Sequence, residues 1–186
     1  MLKLKQLAAY VGAALGQPAG SVVELLRALR EAIEATEVDD PELDRFSARP
    51  GPGGGLNVTA RMVTYLLIGF LVDQPRAKVF DQMLCAFKAT IGKGLCPLTG
   101  EKIFGDAVEA ILTNEQLLAR VGAIEVSEHF ARISFSDDAR PDVSYFWLKD
   151  ATPIKGGFRM MVAPFFTLER LAQFIKTVES ELEAAS

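Results

Sequence analysis

The apolar positions at the start of the chain repeat with the spacing of an amphipathic α-helix. The first stripe has members three, four or seven residues apart, which therefore share one helix face, and it consists of Leu4, Leu7, Ala8, Val11 and Leu15. Gly16 follows where a left-handed cap costs least, and Pro18 cannot continue the helix. The pattern predicts a first helix that ends before Gly16.

A second helix is predicted over residues 21–35. Ser21 and Glu24 have the spacing of a capping box, in which each side chain accepts a hydrogen bond from the other residue's backbone N–H. The apolar stripe of this helix consists of Val22, Leu25, Leu26, Leu29 and Ile33. Arg27 and Arg30 lie on the other side, where they face solvent or a ligand.

The two helices and the segment that follows have the order of a winged helix-turn-helix. The connection GQPAG is short and contains glycine, and a glycine-rich, arginine-flanked stretch, RFSARPGPGGGLNVTAR, stands in the position of a wing. Because this arrangement docks in the major groove of DNA, the predicted DNA-binding residues are Ser21, Arg27, Arg30, Arg45, Arg49 and Arg61. A helical hairpin that binds no DNA needs the same caps and turn, and it stays the alternative.

Residues 50–55, PGPGGG, are predicted to form a loop tip, because they are too flexible for a strand and too rich in proline for a helix. As a wing, this loop would bring Arg45 or Arg49 to phosphate. An ordinary flexible linker is the alternative. A phosphate-binding loop is excluded, since no Gly-Lys-Ser/Thr follows and no strand-GxGxxG-helix unit is present.

The charge distribution argues against strong, unspecific DNA binding. Residues 37–44, EVDDPELD, carry five acidic side chains and no basic one, and the whole chain has a formal net charge of −4. Proteins that depend on phosphate contacts usually present a basic face. We interpret residues 37–44 as a solvated linker and expect weak or strongly site-dependent binding.

The longest apolar run, MVTYLLIGFLV at residues 62–72, predicts a helix that is hydrophobic on nearly every side, with Thr59 as its N-cap. It is too short for a membrane span, which needs about twenty residues. Such a helix is buried in the middle of a protein or between subunits. Since 49% of the chain is hydrophobic, we predict a homodimer that buries part of this surface.

The remaining periodicity indicates an α+β fold with a helical N-terminal half. Further helices are predicted around residues 79–87, 104–112 and 117–121, followed by strands around 124–127, 131–135, 143–147 and 158–162. We expect an antiparallel β-meander covered by a terminal helix from Thr167 to about Ala184. The predicted domains are a winged helix-turn-helix-like part, 1–61, and an α+β part, 62–186.

Residues for catalysis or metal binding are sparse, so we predict no enzymatic activity, cofactor or metal. His129 is the single histidine, and neither GxSxG nor HExxH occurs. Aspartates 137, 138 and 142 lie in predicted turns, where they bond their own backbone. Cys85 and Cys96 match neither a zinc motif nor a disulfide framework. Tyr145 and Trp147 share a strand face and are expected in the core.

The stretch LKQLAAYVGAALGQPAGSVVELLRALREA resembles the winged-helix start of small proteins from phages and prophages, and TARMVTYLLIGFLVD resembles the helix that follows their wing. The resemblance covers residues 2–73 and implies a DNA-binding regulator of transcription or a packaging or assembly factor. The alternative is a structural or protein-interaction adaptor without DNA binding. With no apolar leader after Met1, the predicted location is the cytoplasm.

Overall fold

A computed structural model describes residues 4–35, 41, 43, 46, 58–72, 76–127, 129–136, 141–146 and 160–184. The helices of this part of the chain are α1 (Leu4–Leu15), α2 (Ala19–Ala35), α3 (Ala60–Leu71), α4 (Arg76–Phe87), α5 (Phe104–Thr113), α6 (Glu115–Leu118) and α7 (Phe165–Ala184). The strands are β1 (Val121–Val126), β2 (Phe130–Phe135), β3 (Val143–Phe146) and β4 (Met161–Pro164). The predicted α+β class is confirmed.

The structure confirms the apolar stripe and the glycine end that were predicted for the first helix. Leu7, Ala8 and Val11 are buried along one side of α1. Gly16 follows its last residue with φ +64°, the left-handed conformation that glycine adopts without a Cβ clash. The apolar stripe therefore defines the buried face, and the glycine defines the end.

The second helix begins earlier than predicted. α2 starts at Ala19, and the N–H of Ser21 already donates to the carbonyl of Pro18 at 2.9 Å within the first turn. The predicted Ser21–Glu24 capping box is therefore wrong. Pro18 explains the earlier start, because its φ is fixed near the helical value and it has no N–H to leave unsatisfied. All five residues of the predicted stripe of α2 are buried.

The segment after α2 is described at three positions only. Pro41, Leu43 and Phe46 have helical backbone conformation, and Leu43 and Phe46 are buried. The interpretation of residues 37–44 as a solvated linker is therefore wrong at Leu43. The predicted wing tip, 50–55, lies outside the described residues, as do Arg45 and Arg49.

Helix α3 occupies the centre of the described fold. Ten of its twelve residues are buried, and the Thr59 hydroxyl caps it by accepting from the N–H of Met62 at 3.2 Å. It packs against α2, α4, α5 and α7 and against strands β1 and β4. The apolar run is therefore covered by its own chain. The homodimer stays a prediction, but this helix no longer supports it, because the helix needs no second subunit to cover its apolar surface.

The four strands form one antiparallel sheet in the order β3-β2-β1-β4. The predicted meander is confirmed for the first three strands, whereas β4 pairs with β1 at the other edge. The predicted position of the last strand beside β3 is therefore wrong. Thr90 exchanges two backbone hydrogen bonds with Phe146 (2.8 and 3.1 Å), so the end of the outer edge of β3 is already paired and less of that edge is left for β4.

One face of the sheet is buried and apolar, and the other carries both polar and exposed apolar side chains. Aligned residues of the buried face include Ala163, Ile124, Ile133 and Val143, one from each strand. On the other face the carboxylate of Glu125 accepts a hydrogen bond from Nε of its cross-strand neighbour Arg132 at 2.6 Å. Helices α3 and α7 both contact β1 and β4.

Helix α7 starts at Phe165, two residues before the predicted Thr167, which is buried inside its first turn. The predicted helices around 79–87 and 104–112 are confirmed as α4 and α5. The helix predicted around 117–121 is present as α6 but begins earlier, after the Asn114 cap, and ends at Leu118, so the prediction is wrong at Val121, which begins β1. Buried residues from both sides of residue 61 belong to one hydrophobic core. The two predicted parts therefore meet over shared apolar contacts.

The close approach of α5 to α4 gives the first prediction. A Cβ on Gly105 would lie 2.4 Å from three carbons of the Phe87 ring. We expect Gly105→Ala to lower the free energy of unfolding by about 1–3 kcal/mol, because the ring must leave its packed position. Gly20→Ala is the matched control, since nothing lies within 4 Å of its Cβ and alanine favours the helix. Urea titration showing equal stability for both variants would contradict this packing.

Candidate interaction surface

Arg27, a predicted DNA contact, lies on the exposed side of α2. Its Nε is 3.1 Å from Oε1 of Glu31 one turn later, and both side chains are well exposed. This i, i+4 arrangement is typical of a solvated helix face and contributes only a few tenths of a kcal/mol, roughly 0.3–0.5. The Arg27 charge is thereby partly neutralised within its own helix.

Arg30 connects α2 to the chain that follows. Its Nε donates to the carbonyl oxygen of Phe46 at 3.0 Å, and this hydrogen bond is partly buried. Ser21 is half-buried in the first turn of α2. Arg30 therefore has a structural contact that the sequence pattern did not predict.

Arg61 is held between α3 and α5. Its guanidinium forms two ion pairs at 2.6 Å, with Oδ1 of Asp106 and Oε2 of Glu109, and it lies 5.0 Å from the centroid of the Phe87 ring. Burial disfavours the charge, but the hydrogen bond to Asp106 and the attraction of Glu109 raise the pKa of Arg61 above its usual value. A phosphate contact by Arg61 would have to displace both carboxylates.

A buried thiol and phenol connect the loop before α5 to the sheet. Burial raises the pKa of the Cys96 thiol, but polar groups of Thr99, Tyr145 and Leu98 lower it by more. Burial raises the pKa of Tyr145, and the neighbouring Cys96 raises it further. The Cys96 N–H donates to the Glu101 carbonyl at 2.8 Å, which closes a turn under the tyrosine. Tyr145 is in the core, as predicted.

Two of the other titratable residues considered from the sequence, His129 and Asp142, lie within the described ranges. His129 lies in the turn between β1 and β2, where its N–H donates to Oγ of Ser127 at 3.3 Å. Asp142 lies 3.4 Å from the Arg132 guanidinium. Aspartates 137 and 138 and Trp147 lie outside the described residues. Within the described ranges, no group of three or more His, Cys, Asp or Glu side chains is arranged to hold a metal ion.

Exposed apolar side chains concentrate where α1, β4 and α7 meet. Five of the eight large apolar residues that the described chain exposes belong to α1 or to the segment 160–166, and they are Tyr10, Met160, Val162, Phe165 and Phe166. Tyr10 and Phe166 are each 56% exposed. Exposed apolar side chains concentrated in one part of a surface are typical of an interaction site.

Two adjacent depressions cross this surface and share Ala14 and Arg170. One has a volume of about 320 Å³ and is lined by Tyr10, Ala13, Ala14, Arg170, Gln173, Phe174 and Thr177. The other has a volume of about 300 Å³, and its lining includes Leu15, Gly16, Phe70, Val162, Pro164 and Phe166. We call the two depressions together the Arg170 groove.

The side chains of the groove hold each other in place. The Tyr10 ring stacks on Phe174 with centroids 5.2 Å apart, and the Arg170 guanidinium carbon lies 5.8 Å from the centroid of the Phe166 ring. Arg170 is the one charged side chain among the described lining residues of both depressions. The groove is therefore lined mainly by apolar residues, with glutamine and threonine among them, and the described lining carries a single cation where the two depressions meet.

This surface was not predicted from the sequence. A usable signal was present at Tyr10, an aromatic residue that stands off the apolar stripe of its helix. Phe165 and Phe166 are a second signal, since neighbouring helix positions cannot both point into one core. Neither signal shows that the two ends of the chain meet.

None of the described helices is both long and apolar enough to cross a bilayer. Comparisons with protein-family models, curated proteins and solved structures find no match to this chain. The winged-helix resemblance therefore stays a prediction.

The placement of the arginines generates the second prediction. We expect Arg61→Ala to lower the free energy of unfolding by about 1–3 kcal/mol, because it leaves two half-buried carboxylates without their shared cation. Arg27→Ala, the matched control, should change it by only a few tenths of a kcal/mol, roughly 0.3–0.5. Chemical denaturation measures both. A cost for Arg61→Ala as small as that for Arg27→Ala would show that the ion pairs contribute nothing.

Proposed function

We propose that this protein is a protein-interaction adaptor of the assembly type and that its partner binds at the Arg170 groove. One observation carries the proposal: Tyr10 and Phe166 are each 56% exposed on the two sides of a central arginine. No acidic side chain among the described lining residues neutralises that arginine. Binding of a partner would remove the exposed rings from water.

The composition of the groove supports this proposal. Residues that dominate binding energy at protein interfaces are enriched in tyrosine and arginine, placed near the centre and surrounded by apolar contacts. Aromatic side chains dominate the energetics of many interfaces because each buries a large apolar area. By contrast, two of the predicted DNA-binding arginines, Arg27 and Arg61, face carboxylates of their own chain.

The third prediction tests the adaptor function by co-purification. We expect the full chain, tagged and purified from the cells that naturally make it, to retain a partner protein in near-stoichiometric amount. Phe166→Ala should lower that retention at least about tenfold, since truncating a central interface residue costs about 2 kcal/mol or more. The identified partner is then purified, and calorimetry measures the same difference in solution.

Phe146→Ala is the matched control for this experiment. Phe146 has the same side chain and a similar exposure, 57%, but lies on β3 at the far edge of the sheet. It should retain the partner like the wild-type chain. Equal retention by both variants, or no stoichiometric partner with the wild-type chain, would refute the adaptor function at this site.

DNA binding is the second candidate, in a phage-type regulator or packaging factor. The observation in its favour is that α1 and α2 pack against each other across the short connection between Leu15 and Ala19, with Arg27 exposed on the second helix. Arg30, Arg45 and Arg49 would complete the contact on this proposal. The acidic Glu31 beside Arg27 weakens it.

The fourth prediction follows from that pairing. If α2 reads DNA, Arg27→Ala should weaken binding by about 1–3 kcal/mol and relax sequence preference. Glu31→Gln should strengthen binding, because it releases the Arg27 guanidinium from its carboxylate partner. Electrophoretic mobility on random and genomic duplex at two salt concentrations measures both effects. Identical mobility for wild type, Arg27→Ala and Glu31→Gln would eliminate α2 as a recognition helix.

A further inference from the structure

The Arg170 groove follows one face of α7. Phe166, Arg170 and Phe174 recur every four residues and therefore lie one above the other on the helix. Eight residues of helix rise about 12 Å. The facing wall on α1 consists of Tyr10, Ala13 and Ala14, and the connection after α1 continues it with Gly16. The site is a trough about two helical turns long whose α1 wall is low at the two alanines.

These dimensions fit a helix better than an extended strand. Two side chains seven residues apart on a helix are separated by about 10.5 Å along its axis, which is close to the rise of about 12 Å between Phe166 and Phe174 on α7. Strand addition to β4 is disfavoured, because this edge strand has four residues and its last, Pro164, has no N–H to donate.

The charge of the groove indicates which chemical group a bound helix would carry between two apolar side chains seven residues apart. The Arg170 guanidinium sits beside the Phe166 ring at the boundary of the two depressions. Arginine binds carboxylates with a planar pair of hydrogen bonds, and a ring beneath it limits the orientations it must lose on binding. A carboxylate one turn from each apolar anchor would meet this cation.

A second copy of this chain and a lipid surface fit less well. A twofold contact centred on the groove would bring Arg170 against Arg170 of the other copy, and like charges repel there. Membrane-surface binding normally uses several basic residues together, whereas the described lining of the groove contains one.

We infer that the Arg170 groove binds an amphipathic helix of a partner protein, with two apolar anchors seven residues apart and a carboxylate between them. This inference rests on the proposed adaptor function and names the chemistry of its partner. Tyr10 and Phe174 receive one anchor, Val162 and Phe166 receive the other, and Arg170 binds the carboxylate.

The fifth prediction uses two synthetic helical peptides of eighteen residues with blocked ends. Both carry leucine at two positions seven apart; one carries glutamate at the two positions between them that share the leucine face, and the other carries lysine there. We expect calorimetry with the full chain to show about tenfold tighter binding of the glutamate peptide. Since the chain has a formal net charge of −4, unspecific attraction would favour the lysine peptide instead.

Three variants make the assignment specific. Arg170→Glu should reverse the preference, and Arg170→Gln, which removes the charge but keeps a polar side chain, should abolish it. Arg120→Glu makes the same charge change at an exposed position outside the groove and should leave the tenfold preference intact. Circular dichroism confirms that each variant is folded.

The alternative outcomes each overturn the inference. If neither peptide binds, the groove does not bind a helix of this kind. If Arg170→Glu still prefers the glutamate peptide, Arg170 does not bind the carboxylate. Self-association of the chain that Arg170→Glu strengthens would assign the groove to a second copy. Co-sedimentation with anionic phospholipid vesicles that Phe166→Ala abolishes would assign it to a membrane. If the peptides fail while a partner is still retained through Phe166, the adaptor function stands and only its partner chemistry is wrong.

Discussion

A helix that is apolar on every side must be covered on every side, and α3 imposes this condition on the rest of the fold. Four helices and two strands pack against it, so that a single chain supplies the whole cover. Arg61, near its start, is the exception to its apolar surface and is neutralised by two carboxylates of α5. The surrounding helices and strands are therefore restricted to positions in which they contact α3.

Local signals predicted most of the elements. The periodic stripes of α1 and α2, the positive φ of Gly16 and the Thr59 cap act within one or two turns, and each appears where the sequence indicated. The start of α2 was misplaced because two local signals competed. Ser21 has the chemistry of a cap, but Pro18 had already initiated the turn that contains it.

Features that depend on distant partners could not be predicted in the same way. Thr90 pairs with the end of β3 from outside the sheet, β4 pairs with β1 across a long stretch of chain, and Arg61 forms ion pairs with Asp106 and Glu109 far along the chain. The Arg170 groove depends on α1 meeting α7, so its residues look like ordinary positions on two unrelated helices. Arginine types and spacings alone favoured DNA contacts, because the sequence does not show which carboxylate each cation will meet.

The stacking of Tyr10 on Phe174 joins helices from opposite ends of the described chain. During synthesis α1 and α2 leave the ribosome before the sheet and α7 have been made. Part of their apolar surface therefore stays uncovered until those later elements are synthesised. The free-energy cost of closing a loop grows only slowly with its length, so the contact between α1 and α7 forms late because α7 is synthesised last among the described elements. A partner that needs both walls of the groove therefore distinguishes a chain synthesised through α7 from any shorter nascent fragment.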